Sequence, residues 1–475
     1  MRKVLDVDVA VLGAGTAGML AFDAAVKEGA RAVLIEAGQY GTTCARVGCM
    51  PSKLLIAAAD RAHLQQGAVE FGLRYEGLEV DSKQVMARVR RERDRFVGFS
   101  LQEIEAIPPE QRLLGKGRFR SNTLLEVGED CLVKFKAAVI ATGSSPFIPE
   151  ELQVLGDRLL TNDNLFELEE LPKSVVVIGL GVIALELGQA LHRLGVEVTF
   201  VGRNDKLGIF TDPELLEEAL KVFAEELKIL THTRVRHVEK QDAQVTLTVD
   251  TPTGEQKLQA DYVLVATGRH ANLAGLGLEL CGVGLDSRGV PECNPHTMQC
   301  GDSNLFLAGD ASGRLPLQHE AADEGRIAGR NAARYPEVRE GIRRSPLSIV
   351  FSDPQMATVG QRVSCLAPGS FVSGTASFAS QGRSRIMGVN KGLIKVYADC
   401  RSGQFLAAEI LGPQAEHLGH LLAWAHQQGL TIQEMLNMPF YHPVIEEGIR
   451  TALGRCRREL LRVLPGGEPT LGILV

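Results

Sequence analysis

The feature that most constrains this chain of 475 residues is a pattern that occurs twice: strand, glycine turn, helix, strand. In the first copy Val7-Asp8-Val9-Ala10-Val11-Leu12 runs into Gly13-Ala14-Gly15-Thr16-Ala17-Gly18. A helical stretch from Met19 to Lys27 follows, and Ala32-Val33-Leu34-Ile35 ends in an acid, Glu36. In the second copy Ser174-Val175-Val176-Val177-Ile178 leads into Gly179-Leu180-Gly181-Val182-Ile183-Ala184, a helix through Leu194, and a strand from Val196 to Val201. Glycines at these positions permit a tight turn and close approach of the backbone to a pyrophosphate, and the following helix N-terminus offers N–H groups to the phosphates. An acid closing the second strand accepts hydrogen bonds from ribose hydroxyls, which is the role expected of Glu36. Each copy is followed by a hydrophobic strand ending in Ala-Thr-Gly, at Ala141-Thr142-Gly143 and Ala266-Thr267-Gly268. Two such units imply two nucleotide cofactors, against one working unit and a vestigial duplicate. A third strand with an acid at its end, Leu305-Phe306-Leu307-Ala308-Gly309-Asp310, precedes a helical segment from Gln318 to Ala333.

The rest of the composition narrows the class. A chain of this length holds about three domains. Apolar residues are 45% and charged residues 23%, which excludes a disordered chain. The net charge of −7 argues against a broad nucleic-acid surface. The run Arg88 to Arg95 alternates in sign and reads as a solvated helix face. No apolar stretch reaches the ~18 residues a bilayer requires, so no membrane partner is expected. Nine cysteines, an odd number and most of them scattered, do not form a secreted disulfide framework, and no leader peptide is visible, so a cytoplasmic location is expected. After Pro346 the glycine fingerprints stop. Strands at Ser370–Phe378, Gly392–Ala398 and Phe405–Ile410 and helices at Ala415–Gln428 and Thr431–Leu436 indicate a separate α+β domain.

The reactive centre is the run Gly41-Thr42-Thr43-Cys44-Ala45-Arg46-Val47-Gly48-Cys49-Met50-Pro51-Ser52-Lys53. Cysteines at a helix N-terminus have lowered pKa values, and the thiolate is the reactive form. Two thiols five residues apart can meet across a first helical turn, and no partner pair stands at zinc-site spacing. Metal binding is therefore not expected, including at His417, His420 and His426. The remaining cysteines, Cys293 and Cys300 among them, read as small apolar residues. Far along the chain, Tyr441-His442-Pro443-Val444-Ile445-Glu446-Glu447 supplies a histidine with a nearby carboxylate. Thiol–disulfide chemistry needs such a base for the incoming thiol.

These motifs together resemble the class I pyridine nucleotide-disulfide oxidoreductases, and within them most closely the dihydrolipoamide dehydrogenases. The resemblance spans nearly the whole chain. It implies an α/β fold of two Rossmann-like dinucleotide-binding domains plus a C-terminal α+β dimerisation domain. The implied order is an FAD-binding domain with the redox disulfide (1–148), an NAD(P)-binding domain (149–270), a central segment completing the FAD domain (271–345) and the interface domain (346–475). It implies that Gly13, Gly15, Gly18 and Glu36 hold the ADP part of FAD, with Thr43, Ala141, Thr142, Gly143 and Gly309 in the cofactor set and Asp310 on the flavin side. Gly179, Gly181, Ala184, Gly202, Arg203 and Gly268 fall to the nicotinamide nucleotide. Cys44 becomes the interchange thiol and Cys49 the thiol nearest the flavin, able to form a charge-transfer complex. Lys53 sits by the flavin paired with Glu186, and His442 and Glu447 form the base pair that reaches across from a second subunit. The implied enzyme is a homodimer serving cell redox homeostasis. It passes electrons between a small dithiol or lipoyl-bearing protein and NAD(P). The alternative is an NADPH-dependent reductase of another disulfide or a metal ion, like glutathione reductase or mercuric reductase. The stretch Pro465 to Val475 lacks the terminal thiol pair of the latter.

Three positions depart from the family pattern. Thr42 stands where a second glycine is usual, and Arg46 where an asparagine is usual. Arg46 is expected to place a cation beside the disulfide. Gly202, followed by Arg203, takes the place of the acid that closes an NAD-type unit, and glycine beside arginine admits a 2′-phosphate.

Overall fold

The computed structural model describes residues 2–74 and 77–463; the expectation for Pro465–Val475 falls outside them. Its organising elements are two five-stranded parallel sheets that share the order of four strands; the fifth, outermost strand comes last along the chain in the first sheet and first in the second. The first runs Leu305–Leu307, Ala137–Ile140, Val9–Leu12, Ala32–Glu36, Arg112–Leu114. The second runs Leu159–Leu160, Tyr262–Val265, Ser174–Ile178, Glu197–Val201, Lys228–Leu230. In each, the strand before the glycine turn is central. Its sequence neighbour pairs on one side and the Ala-Thr-Gly strand on the other. Such a reversal of strand order opens a crevice at the carboxyl ends of the strands, where ligands bind. The central strands are apolar apart from Ser174 at the start of the second, because both faces are covered by helices or further sheet.

The strand expected from Val7 begins at Val9. Residues Lys3–Asp6 pair instead with Cys131–Lys134 in a separate four-stranded sheet, and the chain changes sheets at Val7–Asp8. There Asp8 accepts from the Arg31 amide at 2.9 Å.

Strand Leu305–Leu307 lies in the first sheet although more than a hundred residues of the second unit precede it. The helix that follows, Gln318–Arg334, packs on Thr16–Lys27. Glycine makes the approach possible: a Cβ at Gly325 would stand 2.2 Å from the Ala17 carbonyl oxygen, and one at Gly329 2.1 Å from that of Ala21.

A three-stranded antiparallel sheet, Arg234–Gln241, Gln244–Thr251 and Gly254–Ala260, covers one side of the second unit. The C-terminal part is a five-stranded antiparallel sheet ordered Leu347–Val350, Gln355–Gly360, Phe405–Gly412, Leu393–Asp399, Phe371–Ser377. Helices Ala415–Gln427 and Glu447–Val463 pack on it around Phe378, Ile394, Ile410 and Leu453. The expected helices and strands of this part appear within one or two residues. Strands Leu347–Val350 and Gln355–Gly360 and the helix Glu447–Val463 are additions that the sequence pattern did not indicate. Among the described residues no helix is long and apolar enough to cross a membrane.

Candidate active site

At the first glycine turn, Gly13 has φ +103° and a Cβ there would lie 2.2 Å from the Ala141 carbonyl oxygen. Only glycine fits such a backbone. The Ala-Thr-Gly strand therefore sits directly against the turn. Gly15 caps helix Thr16–Lys27 with no side-chain bond, and the space where its Cβ would point is open. Glu36 accepts from the Ala14 amide and the Gly38 amide, both at 2.8 Å. A cavity of about 400 Å³ opens beside them, lined by Gly13, Glu36, Lys116, Thr142 and His270 among others. The Thr142 hydroxyl is buried with no hydrogen-bond partner among the described residues, and buried polar groups are seldom left so. An amide-rich helix end, a carboxylate at the strand end and an unpartnered hydroxyl fit the ADP part of FAD.

The turn of the second unit repeats this geometry. Gly179 has φ +121° and its Cβ would stand 2.4 Å from the Ala266 carbonyl oxygen. Gly181 caps Val182–Arg193 as Gly15 caps the first helix. The strand end differs. A Cβ at Gly202 would lie 2.2 Å from Leu180 Cδ1, so Leu180 fills the space that an acid would need. Arg203 is exposed and pairs with no acid among the described residues.

The cysteine run breaks into two helices. Thr42 extends the backbone and its hydroxyl accepts from the Ala45 amide at 3.1 Å, capping Thr43–Arg46. This accounts for a threonine in place of the usual glycine. Gly48 then opens Cys49–Gly67, so Cys49 lies in a first helical turn with Cys44 on the preceding one. The thiols are hydrogen-bonded to each other; Cys44 is half-buried and Cys49 exposed. Cys49 is lowered to about 7, first by the bond from Cys44 and then by the Lys53 ammonium, against the opposing effect of the desolvation its sulfur meets from surrounding atoms. Cys44 is pushed up, because it donates to that thiolate and is itself buried.

Lys53 follows Cys49 by one helical turn. Its Nζ lies 2.8 Å from Glu186 Oε2 and 4.7 Å from the centre of the Phe351 ring. Glu186 stands on the helix of the second unit, and its other oxygen accepts from the Phe351 amide at 2.9 Å. The Lys53–Glu186 pair thus ties the cysteine helix to the second nucleotide unit. The expectation for Arg46 is corrected: its guanidinium turns to Gln39, 2.6 Å to the side-chain oxygen, and Lys53 is the cation acting on the thiols.

A polar chain that sequence reasoning missed runs from the cysteine loop to Asp310. Asn162 donates to the Val47 carbonyl at 3.0 Å, Arg269 donates to Asn162 at 3.2 Å and to Ser144 Oγ at 2.8 Å, and Ser144 donates to Asp310 at 2.7 Å. Arg269 directly follows the second Ala-Thr-Gly, which was the available signal. Gly309, beside Asp310, donates its amide to the buried Glu324 at 2.8 Å.

His442 and Glu447 are brought together: Nδ1 lies 3.0 Å from Glu447 Oε1. The carboxyl of Glu447 is held below its ordinary range, first by that hydrogen bond. The histidine is 81% exposed on this chain, with Nε2 turned away from Glu447. The arginine run of helix Ser82–Glu105 is partly paired within the chain, with Arg93 on Glu167 and Arg95 on Glu92, while Arg88 and Arg90 reach backbone carbonyls.

Comparison with known proteins agrees over most of the chain. Residues 7–325 match the pyridine nucleotide-disulphide oxidoreductase family and residues 347–453 its dimerisation domain. A dihydrolipoyl dehydrogenase from Chlamydia pneumoniae is 31% identical over 448 residues, covering 93% of this chain and 95% of the relative. A mercuric reductase from Shigella flexneri is 31% identical over 457 residues, covering 94% of this chain and 80% of the relative. Among solved structures, LpdA from Mycobacterium tuberculosis superposes with a TM-score of 0.82 at 24% identity, covering 95% of this chain and 99% of that one.

Proposed function

The chain belongs to the pyridine nucleotide-disulphide oxidoreductase family, and we propose that it passes electrons between dihydrolipoamide, or a lipoyl-bearing protein, and NAD(P). At the coarser level it is a flavoprotein disulfide oxidoreductase that uses FAD and NAD(P), built from two Rossmann-like domains and a C-terminal dimerisation domain. The dihydrolipoyl dehydrogenases among the relatives support the finer reading, and the observation that carries electron relay is the position of the thiol pair. Cys44 and Cys49 touch each other, and Lys53, one turn on, bridges to the second nucleotide unit through Glu186. A dithiol in contact at the junction of two nucleotide sites is an electron relay.

The assigned roles follow from that placement. In a homodimer His442, oriented by Glu447, takes the proton from an incoming substrate thiol through Nε2. The resulting thiolate attacks Cys44 Sγ in the Cys44–Cys49 disulfide, and Cys49 leaves as a thiolate. The second substrate thiol then displaces Cys44, releasing the cyclic disulfide and leaving both enzyme cysteines reduced. Lys53 stabilises the Cys49 thiolate electrostatically. Bound FAD supplies the chemistry that converts the dithiol's electron pair into a hydride for NAD(P)+. Gly13, Gly15, Gly18, Glu36, Thr142 and Asp310 hold that cofactor, and Gly179, Gly181, Ala184 and Arg203 hold the nicotinamide nucleotide. The division at residues 148, 270 and 345 follows the same logic.

Reduction of NAD+ and NADP+ by dihydrolipoamide, measured side by side on the yellow protein, tests the reading. Turnover with either supports it. Flavin bleached by NADPH without dihydrolipoamide turnover overturns it in favour of a reductase of another disulfide or of a metal ion. The mercuric reductase relatives and the Gly202-Arg203 pair favour that second reading. Cys49→Ser should retain flavin and lose dithiol turnover by at least about a thousandfold, the scale on which removing one member of a catalytic nucleophile set acts.

A further inference from the structure

The segment between the second unit and Asp310 carries two more cysteines that face each other. Cys293 and Cys300 are directly opposed in an antiparallel β-bridge. The hydrogen bonds on either side fix the kind of pair. Asn294 N donates to Gln299 O at 2.9 Å and Gly301 N donates to Glu292 O at 3.2 Å. Neither cysteine exchanges a main-chain bond with the other, so this is a non-hydrogen-bonded pair. In such pairs the Cα atoms lie ~4.5 Å apart and the side chains are closest. That separation is within the range disulfides span. A turn with Met298 at φ +61° closes the hairpin, and Cys300 N donates to Leu305 O at 2.9 Å. The pair is therefore one hydrogen bond away from the strand that runs into Gly309 and Asp310.

The surroundings differentiate the two thiols. Cys300 is 1% exposed, whereas Cys293 is half-buried. Arg314 reaches the Cys293 carbonyl with its guanidinium and places a positive charge near both sulfurs. Cys293 is lowered, first by a hydrogen bond from Cys300 and further by Arg314; Cys300 is raised as the donor in that bond and by burial. A part-exposed thiol with thiolate character beside a buried partner is the arrangement of an attacking and a resolving cysteine.

We propose that Cys293 and Cys300 form a second, reversible dithiol–disulfide pair, oxidised by hydroperoxides, separate from the relay at Cys44 and Cys49. The Cys293 thiolate attacks one oxygen of the hydroperoxide, the O–O bond breaks, and the leaving oxygen departs as hydroxide or alkoxide and takes up a proton. Cys293 is then a sulfenic acid. The Cys300 sulfur attacks Cys293 Sγ, the S–O bond breaks, and the Cys300 proton leaves with the hydroxyl as water. Two thiols lose two electrons and two protons in all, and the hydroperoxide is reduced to water and water or alcohol. A dithiol reductant reverses the reaction.

Mass mapping of the intact flavoprotein tests this. Both cysteines fall between Arg288 and Arg314 and so in one tryptic peptide. The reduced holoenzyme is treated with hydrogen peroxide, denatured in alkylating reagent and digested without reductant. The expected result is this peptide unalkylated and lighter by two hydrogens, returning to the doubly alkylated form after dithiothreitol. In Cys300→Ser, the expected product is a sulfenic acid trapped at Cys293 by dimedone. Full alkylation of both cysteines after a dose that oxidises Cys44 and Cys49 overturns the proposal, and so does progression of Cys293 to sulfinic acid with no linked peptide. None of these readouts depends on dihydrolipoamide turnover, so failure here is distinguishable from failure of the proposed activity.

Discussion

The two nucleotide units share the order of four strands and a turn geometry, yet they differ in how the helix packs on the turn and in what closes the second strand. In the first, a Cβ at Gly18 would stand 1.8 Å from the Gly13 carbonyl oxygen, so the helix lies hard against the turn. In the second, Ala184 occupies the corresponding place, fully buried and without conflict, so that helix sits further back. At the strand end, Glu36 is bonded to two amides, while Gly202 leaves the floor to Leu180 and the rim to Arg203. On the proposed reading, the common part positions a pyrophosphate and the parts that diverge decide which nucleotide is accepted. A duplicated fold thus keeps its phosphate cradle and varies its ribose-reading positions, because the cradle is backbone and the reading is side chain.

The largest effects separate the units outright. Gly13→Val should yield colourless protein, with flavin content down by about ten- to a hundredfold, since forcing atoms into packed backbone costs ~1–3 kcal/mol. Gly179→Val should stay yellow and lose bleaching by NAD(P)H. Absorbance spectra before and after nucleotide addition check both; a yellow Gly13→Val or a colourless Gly179→Val would break the assignment of cofactors. Next in size, Arg203→Ala should lower kcat/KM for NADP(H) by about tenfold and leave NAD(H) nearly unchanged, the loss of one charge-assisted bond of ~1.5 kcal/mol. Equal losses with both nucleotides would remove the argument for 2′-phosphate recognition.

Between the units, the thiol pair offers a pH test. Cys49 is lowered to about 7, so its thiolate is present above that pH and is lost as the pH falls through it. The iodoacetamide rate of the two-electron-reduced enzyme should rise with pH along a curve centred near 7. Lys53→Met should move that curve upward, because the ammonium favours the charged form. A curve centred near the ordinary thiol value of ~8.5 in both proteins would remove Lys53 from the argument. The smallest contrast is in packing. Gly18→Ala should lower stability by about 2 kcal/mol, whereas Ala184→Gly should cost ~1 kcal/mol from helix propensity alone. Thermal melts of the two variants measure the difference.

The path from sequence to structure was unequal along the chain. The glycine turns, Glu36, both Ala-Thr-Gly strands and the cysteine run were legible because each is a local backbone requirement written in adjacent residues. The three-stranded sheet at residues 234–260 was not, because its outer strands carry few apolar residues and the first is broken by a register shift at Val235–His237, although Val245, Leu247 and Val249 alternate in the middle strand. Helix Glu447–Val463 was hidden by its many arginines, although Ile449, Leu453, Cys456 and Leu460 mark its buried side. The role expected of Arg46 failed because a side chain on a short helix has several directions open to it, and Gln39 took it.

The sequence by itself determined that two nucleotide units flank a CxxxxC run, since glycine-only backbone and helix-start cysteines depend on neighbours in the chain. Only the tertiary structure decided what meets across distance. It put Lys53 on Glu186, linked the Val47 loop to Asp310 through Asn162, Arg269 and Ser144, and faced Cys293 with Cys300. Contacts of that kind are set by how strands are ordered in a sheet and how helices close over it, and residue spacing along a chain carries no measure of either.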